Sequence, residues 1–278
     1  MTNSAFNTAR NHARSVIEQF SHAFHRPPVN LYDLAKSMNV RIVENRHPGE
    51  SWFVSRGDTK TIFLSSIDKS EGFLRYNLAH EIGHAYLNQY YPKLSSENDL
   101  KWQEQYAITF SLEILIPRAH LSSISNRLLG IKTPQDWLVY PKGFEVPVWY
   151  FFRSLSLNKD LFRGWNKVLF LARWSKNLIK DGRETYRIFY PTYDAKRFYI
   201  PPSNKSVNGF IKDSSWVKAI GEKEFHECQT EIVIQRKSGK VKPKYEMASI
   251  GVDLKVFRLA KSTHQDHSPM LFLMSFLD

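Results

Sequence analysis

The segment His80-Glu81-Ile82-Gly83-His84 forms an H-E-x-x-H motif inside residues 78–87, Leu-Ala-His-Glu-Ile-Gly-His-Ala-Tyr-Leu. The segment contains no proline and is typical of a helix, in which residues four positions apart lie on one face. His80 and His84 can then bind one Zn²⁺, and Glu81 can act as general base toward a water activated by the metal. This pattern predicts metal-dependent peptide hydrolysis. The alternative is a plain helix whose two histidines are solvated or packed in the core.

A third protein ligand is expected downstream, because catalytic zinc usually keeps three protein ligands and one open position. Residues 102–117 contain no glycine and end at a proline, as helices often do. Glu104, Ala107 and Ser111 share one helical face, and the two small residues allow close packing that brings Glu104 near the motif. Glu113 is the competing carboxylate, about two and a half turns further along, and we expect it to be solvated. The alternative for Glu104 is an ordinary surface role.

The two segments together resemble the ImmA/IrrE metallopeptidases. The run Arg75–Leu87, followed by E-x-x-A-x-x-F-S at 104–111 and a proline at 117, is similar to two helices of that family. These are an R-x-x-x-A-H-E-[LI]-[GS]-H helix and a glutamate-bearing helix that ends in L-L-M-P. The chain departs from the pattern at four positions, none of which removes a ligand: Tyr76, Ser111, Ile114 and Ile116.

The resemblance implies a gluzincin-like site. By this likeness His80, His84 and Glu104 are zinc ligands and Glu81 is the catalytic residue. The implied cofactor is Zn²⁺, with Mn²⁺ as the alternative in the cell. The residues themselves do not identify an oxyanion-stabilising group.

The upstream residues predict the rest of a small α+β domain. Helices are expected at Ala9–Phe24 and at Leu31–Met38, the second capped by Asn30. Strands are expected at 40–44, 51–55 and 60–65, the last two joined by a hairpin turn at Arg56-Gly57-Asp58. A sheet edge beside a metal helix could accept an extended substrate as an added strand, and we expect Trp52, Phe53 and Val54 to serve this purpose. Plain sheet packing of Trp52 and Phe53 is the alternative.

The predicted fold class is α+β, with three parts. Residues 1–120 are a zincin-like metallopeptidase domain with a small sheet and the H-E-x-x-H helix. Residues 121–160 are a short helical, helix-turn-helix-like segment, for which an aromatic packing role is favoured over DNA readout. Residues 161–278 are a basic, β-rich C-terminal domain, which the resemblance relates to GAF-like sensor domains. Its expected strands are 168–172, 185–190, 231–235 and 271–276, with a basic hairpin at 235–244.

Charge and cysteine content limit the partners and the compartment. Residues 1–120 hold 13 Lys or Arg and 12 Asp or Glu, whereas residues 121–278 hold 26 and 15. The basic half could attract nucleic acid, an acidic protein or a nucleotide, or could be a solvated surface without a specific ligand. The single cysteine, Cys228, excludes an internal disulfide and favours a cytoplasmic location. No apolar run is long enough for a membrane span, and no signal peptide is expected.

The resemblance implies a narrow function for the expected peptidase. Its substrate would be a helix-turn-helix transcriptional repressor, whose cleavage releases genes for stress response or mobile-element transfer. Two alternatives stay open. One is a DNA- or ligand-binding regulator that keeps the peptidase fold without cleavage. The other is the protease part of a phage-defence or toxin–antitoxin system.

Overall fold

A computed structural model describes ten stretches of the chain, and they fall into two compact units. The described residues are 2–45, 49–67, 69–92, 96–131, 133–162, 167–175, 185–192, 225–238, 244–258 and 270–276. One unit comprises Met1–Leu121 and Val139–Ser154, and the other Ser122–Leu138 and Leu155–Asp278. The division at residues 120 and 160 inferred from the sequence remains a prediction.

The described residues form a mixed α and β structure. The helices are α1 Thr2–Gln19, α2 Leu31–Ser37, α3 Glu71–Tyr90, α4 Glu97–Leu115, α5 Arg118–Gly130, α6 Pro134–Trp137, α7 Val139–Gly143 and α8 Val148–Leu157. The strands are β1 Val40–Asn45, β2 Trp52–Arg56, β3 Thr59–Ser65, β4 Lys167–Ser175, β5 Thr185–Thr192, β6 Phe225–Ser238, β7 Lys244–Arg258 and β8 Met270–Phe276. None of the described helices is long and apolar enough to cross a membrane.

The first helix differs from its predicted bounds. Helix α1 begins at Thr2 rather than Ala9 and ends at Gln19, and Ser21–Phe24 forms a separate 3-10 turn. Its buried face consists of small residues at helical spacing, namely Ala5, Ala9, Ala13 and Val16. This face packs on α4, where the His12 Nδ1 and Tyr106 hydroxyl oxygen lie 2.8 Å apart in a hydrogen bond. The polar residues Thr2-Asn3-Ser4 concealed the helix start.

A three-stranded sheet of order β1-β3-β2 belongs to the same unit. Strands β1 and β3 are parallel, whereas β2 and β3 form the expected antiparallel hairpin with the pair Arg56 and Thr59 at its end. The two-residue turn between them needs Gly57, whose φ of 56° lies in the left-handed region. Asn30 caps α2 as predicted, because its side-chain oxygen accepts a hydrogen bond from the Asp33 backbone N–H.

Helix α7 and the first seven residues of α8 belong to the first unit and lie within residues 121–160, for which a helix-turn-helix-like segment is predicted. The ring centroids of Phe144 and Phe151 are 5.9 Å apart, and those of Tyr140 and Phe151 are 6.2 Å apart. Phe151 and Phe152 are fully buried. The aromatic face of α8 therefore packs inside the unit, in agreement with the packing role favoured from the sequence.

The second unit contains a five-stranded antiparallel sheet of order β5-β4-β8-β7-β6. Strand β6 is much longer than the predicted 231–235, and β7 was not predicted. The basic hairpin joins β6 and β7, since Ser238 pairs with Lys244, but its tip at 239–243 lies outside the described residues. His264 and His267 form an H-x-x-H pair without a third ligand apparent in the sequence, so no second metal site is expected there, and both lie outside the described residues.

Candidate metal centre

Three side chains from two neighbouring helices converge at one point. His80 and His84 lie on successive turns of α3, and their Nε2 atoms are 3.1 Å apart. Glu104 comes from α4, with Oε2 at 3.3 Å from His80 Nε2 and Oε1 at 3.2 Å from His84 Nε2. The structure thus brings together the three residues proposed as ligands from the sequence.

The spacing of these atoms fits a bound zinc ion. A tetrahedral ion with bonds of about 2.0–2.1 Å holds its ligand atoms about 3.3 Å apart. The two Nε2 atoms are 3.1 Å apart, and each lies 3.2–3.3 Å from a different oxygen of the Glu104 carboxylate, so the three groups are close enough to share one ion. Two imidazoles and a carboxylate are also an ordinary donor set for zinc at a site that retains an open position. His80, His84 and Glu104 are therefore a group that could hold a metal.

A close contact between α3 and α4 sets this geometry. A Cβ atom added to Gly83 would lie 3.1 Å from Ala107 Cα and 3.2 Å from Phe110 Cδ1. Only glycine at position 83 lets the helix backbones approach so closely. Ser111, also fully buried, hydrogen-bonds with the Tyr76 hydroxyl on α3. The small-residue face expected on α4 is confirmed, and Gly83 is its counterpart on α3, which sequence reasoning missed.

Glu81 lies beside the three converging side chains and is buried. Burial is the main cause that raises the pKa of its carboxyl to about 7, and the nearby carboxylates of Glu104 and Glu50 contribute to this rise. The charge of His84 and a hydrogen bond from the Phe53 backbone N–H oppose this rise. The group can therefore change its protonation state near neutral pH, as a general base or acid requires.

Glu104 has the opposite electrostatic environment. Hydrogen bonds from His80 and His84 hold the pKa of its carboxyl well below the usual range, although burial acts in the other direction. Its side chain is 57% exposed. Glu104 is thus ionised over the whole physiological pH range and reachable from solvent, as a carboxylate ligand should be.

Ring packing, rather than a hydrogen bond to Nδ1, positions the His80 side chain. Its Nδ1 atom is buried without a hydrogen-bond partner among the described residues, whereas a metal-ligating histidine usually donates a hydrogen bond there. The ring instead packs against Tyr76, with centroids 5.9 Å apart, and Tyr76 stacks on Tyr150 at 3.6 Å. Arg75, next to Tyr76, pairs with Glu145 through Nε and Oε2 at 3.4 Å. The segment after α7 therefore supports the first half of α3.

The residues proposed for substrate binding are only partly at the site. Trp52 and Phe53 line the same cleft as His80 and Glu81, whereas Val54 does not line it. The stacked rings of Trp52 and Phe63, 5.3 Å apart, show that sheet packing also engages Trp52. The two interpretations of Trp52 are therefore compatible.

The expectation that Glu113 is solvated is wrong. Glu113 is buried and its Oε2 lies 3.2 Å from Arg10 Nε, while its Oε1 accepts a hydrogen bond from the Arg118 backbone N–H at 3.3 Å. Helical phase correctly turned Glu113 away from Glu104. It could not show that α1 covers this side of α4, because Arg10 is far away in sequence.

Comparisons with known proteins found a family match over the part of the chain that contains these residues, and one similar fold. Residues 28–139 match a family model described as Peptidase_M78, IrrE N-terminal-like domain. A solved structure named Mycobacterium tuberculosis transcriptional regulator is similar in fold, with a TM-score of 0.51 and 13% sequence identity over 99% of this chain and 80% of that one. No curated protein matches the chain. The family match covers both histidines, Glu81 and Glu104, and the structural likeness concerns the fold alone.

Proposed function

We propose that this chain, whose residues 28–139 form an IrrE N-terminal-like domain of a metallopeptidase family, is a zinc-dependent endopeptidase. One observation carries the proposal. The two Nε2 atoms lie 3.1 Å apart and each is 3.2–3.3 Å from an oxygen of the Glu104 carboxylate, with the buried Glu81 carboxyl beside them. A zincin-like, gluzincin-type site has these components: two ligands from H-E-x-x-H, a downstream Glu ligand and an adjacent base.

Each residue then has a distinct task. His80, His84 and Glu104 would hold Zn²⁺ or Mn²⁺, and the low pKa of Glu104 keeps this ligand anionic. Bound zinc would supply Lewis-acid chemistry, lowering the pKa of a water molecule and polarising a peptide carbonyl. Glu81 would accept a proton from the attacking water and pass it to the leaving amine. A carboxyl with a pKa near 7 is suited to both transfers.

An extended protein segment is the substrate form that best fits the cleft. Strand β2 is at the edge of its sheet, so its outer backbone groups can pair with an added strand. Trp52 and Phe53 on this strand line the cleft that contains His80 and Glu81. We propose that Trp52 and Phe53 bind substrate beside the metal, with Val54 contributing only through its backbone.

We propose a helix-turn-helix transcriptional repressor as the protein that is cleaved, in a stress-response or mobile-element switch. The support is the family of the domain and a fold shared with a protein named a transcriptional regulator. Such a switch acts in the cytoplasm, which agrees with a chain that contains a single cysteine. The β-rich part would sense a signal, as a GAF-like domain does, or position the repressor.

The unequal charge distribution supports a second candidate function. Residues 121–278 hold 26 Lys or Arg against 15 Asp or Glu, so this part could bind nucleic acid or another anion. In that case the protein would be a DNA- or ligand-binding regulator that retains the peptidase fold. The protease part of a phage-defence or toxin–antitoxin pair differs from the first proposal only in its substrate. A buried Glu81 beside two histidines favours cleavage, because a binding module does not need a general base there.

Metal content is the first test. Protein purified without added metal should contain about one zinc ion per chain by elemental analysis, and His80→Ala and Glu104→Ala should lose it. Glu97→Ala is the matched control, since Glu97 lies on the same helix α4 and is 83% exposed. Wild-type protein that cannot be loaded with Zn²⁺ or Mn²⁺ would refute the peptidase proposal. Zinc retained by Glu104→Ala would show that another group is the third ligand.

Cleavage is the second test. Zinc-loaded protein is mixed with purified helix-turn-helix repressors from the same organism, and fragments are identified by mass spectrometry. Glu81→Gln should keep the metal and lose cleavage by at least about a hundredfold, because it removes only the base. Unchanged biological activity of Glu81→Gln would instead favour the binding-module function.

A further inference from the structure

The cleft around the metal centre has two ends of different character. Two depressions, of about 390 and 350 Å³, both contain His80, Glu81 and Glu104 and extend from them in different directions. The first reaches the end of α3 and the start of α4, and the second reaches the start of α3. A peptide bound at the metal would therefore have side-chain space on both sides of the reacting carbonyl.

The end formed by α3 and α4 is open to solvent, and its lining combines apolar side chains with the amides of Asn88 and Gln103. Leu87 is buried at its base, while Tyr91 is 44% and Leu100 54% exposed. Large apolar side chains with such exposure are commonly part of binding sites when they cluster. Among the described residues, seven large apolar side chains are exposed, and four of them border the two depressions: Trp52, Phe73, Tyr91 and Leu100. Exposed apolar surface is thus concentrated at the cleft.

We call Leu87, Tyr91 and Leu100 the apolar wall of this depression, and Tyr91 connects it to the core beneath. The Tyr91 ring meets Trp102 edge to face at 5.7 Å, and Trp102 stacks on the fully buried Tyr106 at 5.7 Å. Tyr106 stacks in turn on Phe110, which contacts Gly83. A row of packed rings therefore connects the wall to the α3–α4 contact that sets the metal geometry. Such a wall is preorganised and does not need to be ordered when a ligand binds.

The charges at this end select against acidic ligands. Among the described residues that line it, Glu50, Glu81 and Glu104 are acidic, and none is Lys or Arg. Glu50 is exposed, lines both depressions and is close enough to Glu81 for its charge to raise the pKa of that carboxyl. In the metal-loaded protein the charge of the ion offsets those of Glu81 and Glu104, so the like charge that a carboxylate would meet here is that of Glu50.

We propose that the depression lined by Leu87, Tyr91 and Leu100 is a specificity subsite for a large aliphatic or aromatic side chain of an extended, non-acidic peptide segment, next to the bond that is cut. The proposal rests on the proposed peptidase function and adds the residue class at the cleavage site. Large apolar side chains are normally buried in folded proteins, so the substrate must expose this segment before it is cut.

Metal-anchored probes test the subsite without requiring cleavage. Succinyl hydroxamates with an isobutyl, hydroxymethyl, carboxymethyl or aminobutyl side chain are titrated by calorimetry into the zinc-loaded full-length protein. The isobutyl probe should bind about tenfold tighter than the hydroxymethyl probe, and the carboxymethyl probe should bind weakest. Leu100→Glu should abolish the isobutyl preference and strengthen binding of the aminobutyl probe. The Val139→Glu control should change neither, because Val139 is also an exposed apolar residue near a helix start and does not line the cleft.

The outcomes separate the subsite from the function on which it rests. Equal binding of all four probes to the wild-type protein would overturn the subsite and leave the metal centre intact. An isobutyl preference that survives Leu100→Glu but is lost in Phe73→Ala would overturn the assignment, because it would place the side chain at the other end of the cleft. If zinc loads but no hydroxamate binds, the metal lacks an open position, and both the peptidase proposal and the subsite fail.

Discussion

The two halves of α4 each carry a carboxylate, Glu104 in the first and Glu113 in the second, and their environments are opposite. Glu104 is 57% exposed and lies within 3.3 Å of two histidines, whereas Glu113, nine residues further on, is 5% exposed and lies 3.2 Å from Arg10. The exposed carboxylate is the one suited to metal binding, and the buried one joins α4 to α1. Burial alone is therefore a poor guide to function here, because a ligand at a catalytic metal must remain reachable.

The two buried glutamates sharpen this contrast. Glu113 has a permanent cation beside it, Arg10, and also accepts a backbone hydrogen bond. Glu81 lies among His84, Glu104 and the Phe53 N–H, and burial raises its pKa to about 7. A buried carboxyl that lacks a permanent cation is the one that can exchange protons. The comparison assigns structure to Glu113 and chemistry to Glu81.

The largest effect on stability is expected at the Arg10–Glu113 pair. Glu113→Ala removes the carboxylate from a buried ion pair and should lower the free energy of unfolding by about 3 kcal/mol. Glu104→Ala should change the stability of the metal-free protein by less than about 0.5 kcal/mol, since its side chain is exposed. Urea denaturation of both metal-free variants measures the difference. Equal losses of unfolding free energy in Glu113→Ala and Glu104→Ala would show that the two glutamates do not differ in their structural role.

A smaller effect is expected at the contact between α3 and α4. Gly83→Ala places a methyl group 3.1 Å from the Ala107 backbone, which cannot move aside as a flexible side chain could. The helices must separate, so we expect a loss of about 1–3 kcal/mol in unfolding free energy and weaker zinc affinity. Gly143→Ala is the matched control, because a Cβ there meets nothing within 4 Å. Full zinc affinity in Gly83→Ala would show that this contact does not set the ligand geometry.

The ionisation of Glu81 predicts a pH effect on stability in the metal-free protein. Its folded pKa of about 7 lies above the ordinary value of 4.5 for a glutamate side chain, so folding favours the protonated form. The stability associated with that proton is fully present below about pH 4.5 and is lost as the pH rises to about 7. Glu81→Gln cannot ionise and should therefore be more stable than wild type by about 1–3 kcal/mol at pH 8 and nearly equal to it at pH 4.5. A stability difference that is independent of pH would show that Glu81 does not titrate in this range.

The sequence could predict the metal centre because its information is local. The spacing of His80 and His84 places both on one helical face, and helical phase made Glu104 a candidate third ligand. The choice of Glu104 over a plain surface role came from the resemblance of residues 75–87 and 104–117 to a known family. The role of Glu113 depends on Arg10 of α1, which lies about a hundred residues earlier in the chain but packs against α4. Helical periodicity within α4 could not reveal this contact. A glycine inside a helix lowers helix stability by about 1 kcal/mol relative to alanine. Gly83 could therefore have been recognised from the sequence as a sign of close packing. Long strands such as β6 and β7 contain many polar residues, and their extent was underestimated for that reason.

The smallest effect is expected at the helix cap that holds the Glu104 end of α4. Ser96 and Asp99 form a capping box, in which the Ser96 hydroxyl accepts from the Asp99 N–H and the Asp99 carboxylate accepts from the Ser96 N–H. Ser96→Ala should lower the free energy of unfolding by about 1 kcal/mol, whereas Ser96→Asp should retain most of it, because aspartate also caps helices. Since the first turns of α4 contain Leu100 and Glu104, hydrogen exchange should increase there and stay unchanged around Glu113. An equal increase in hydrogen exchange along the whole helix would mean that the parts of α4 around Glu104 and Glu113 open together. The two parts would then differ in charge environment and not in local stability.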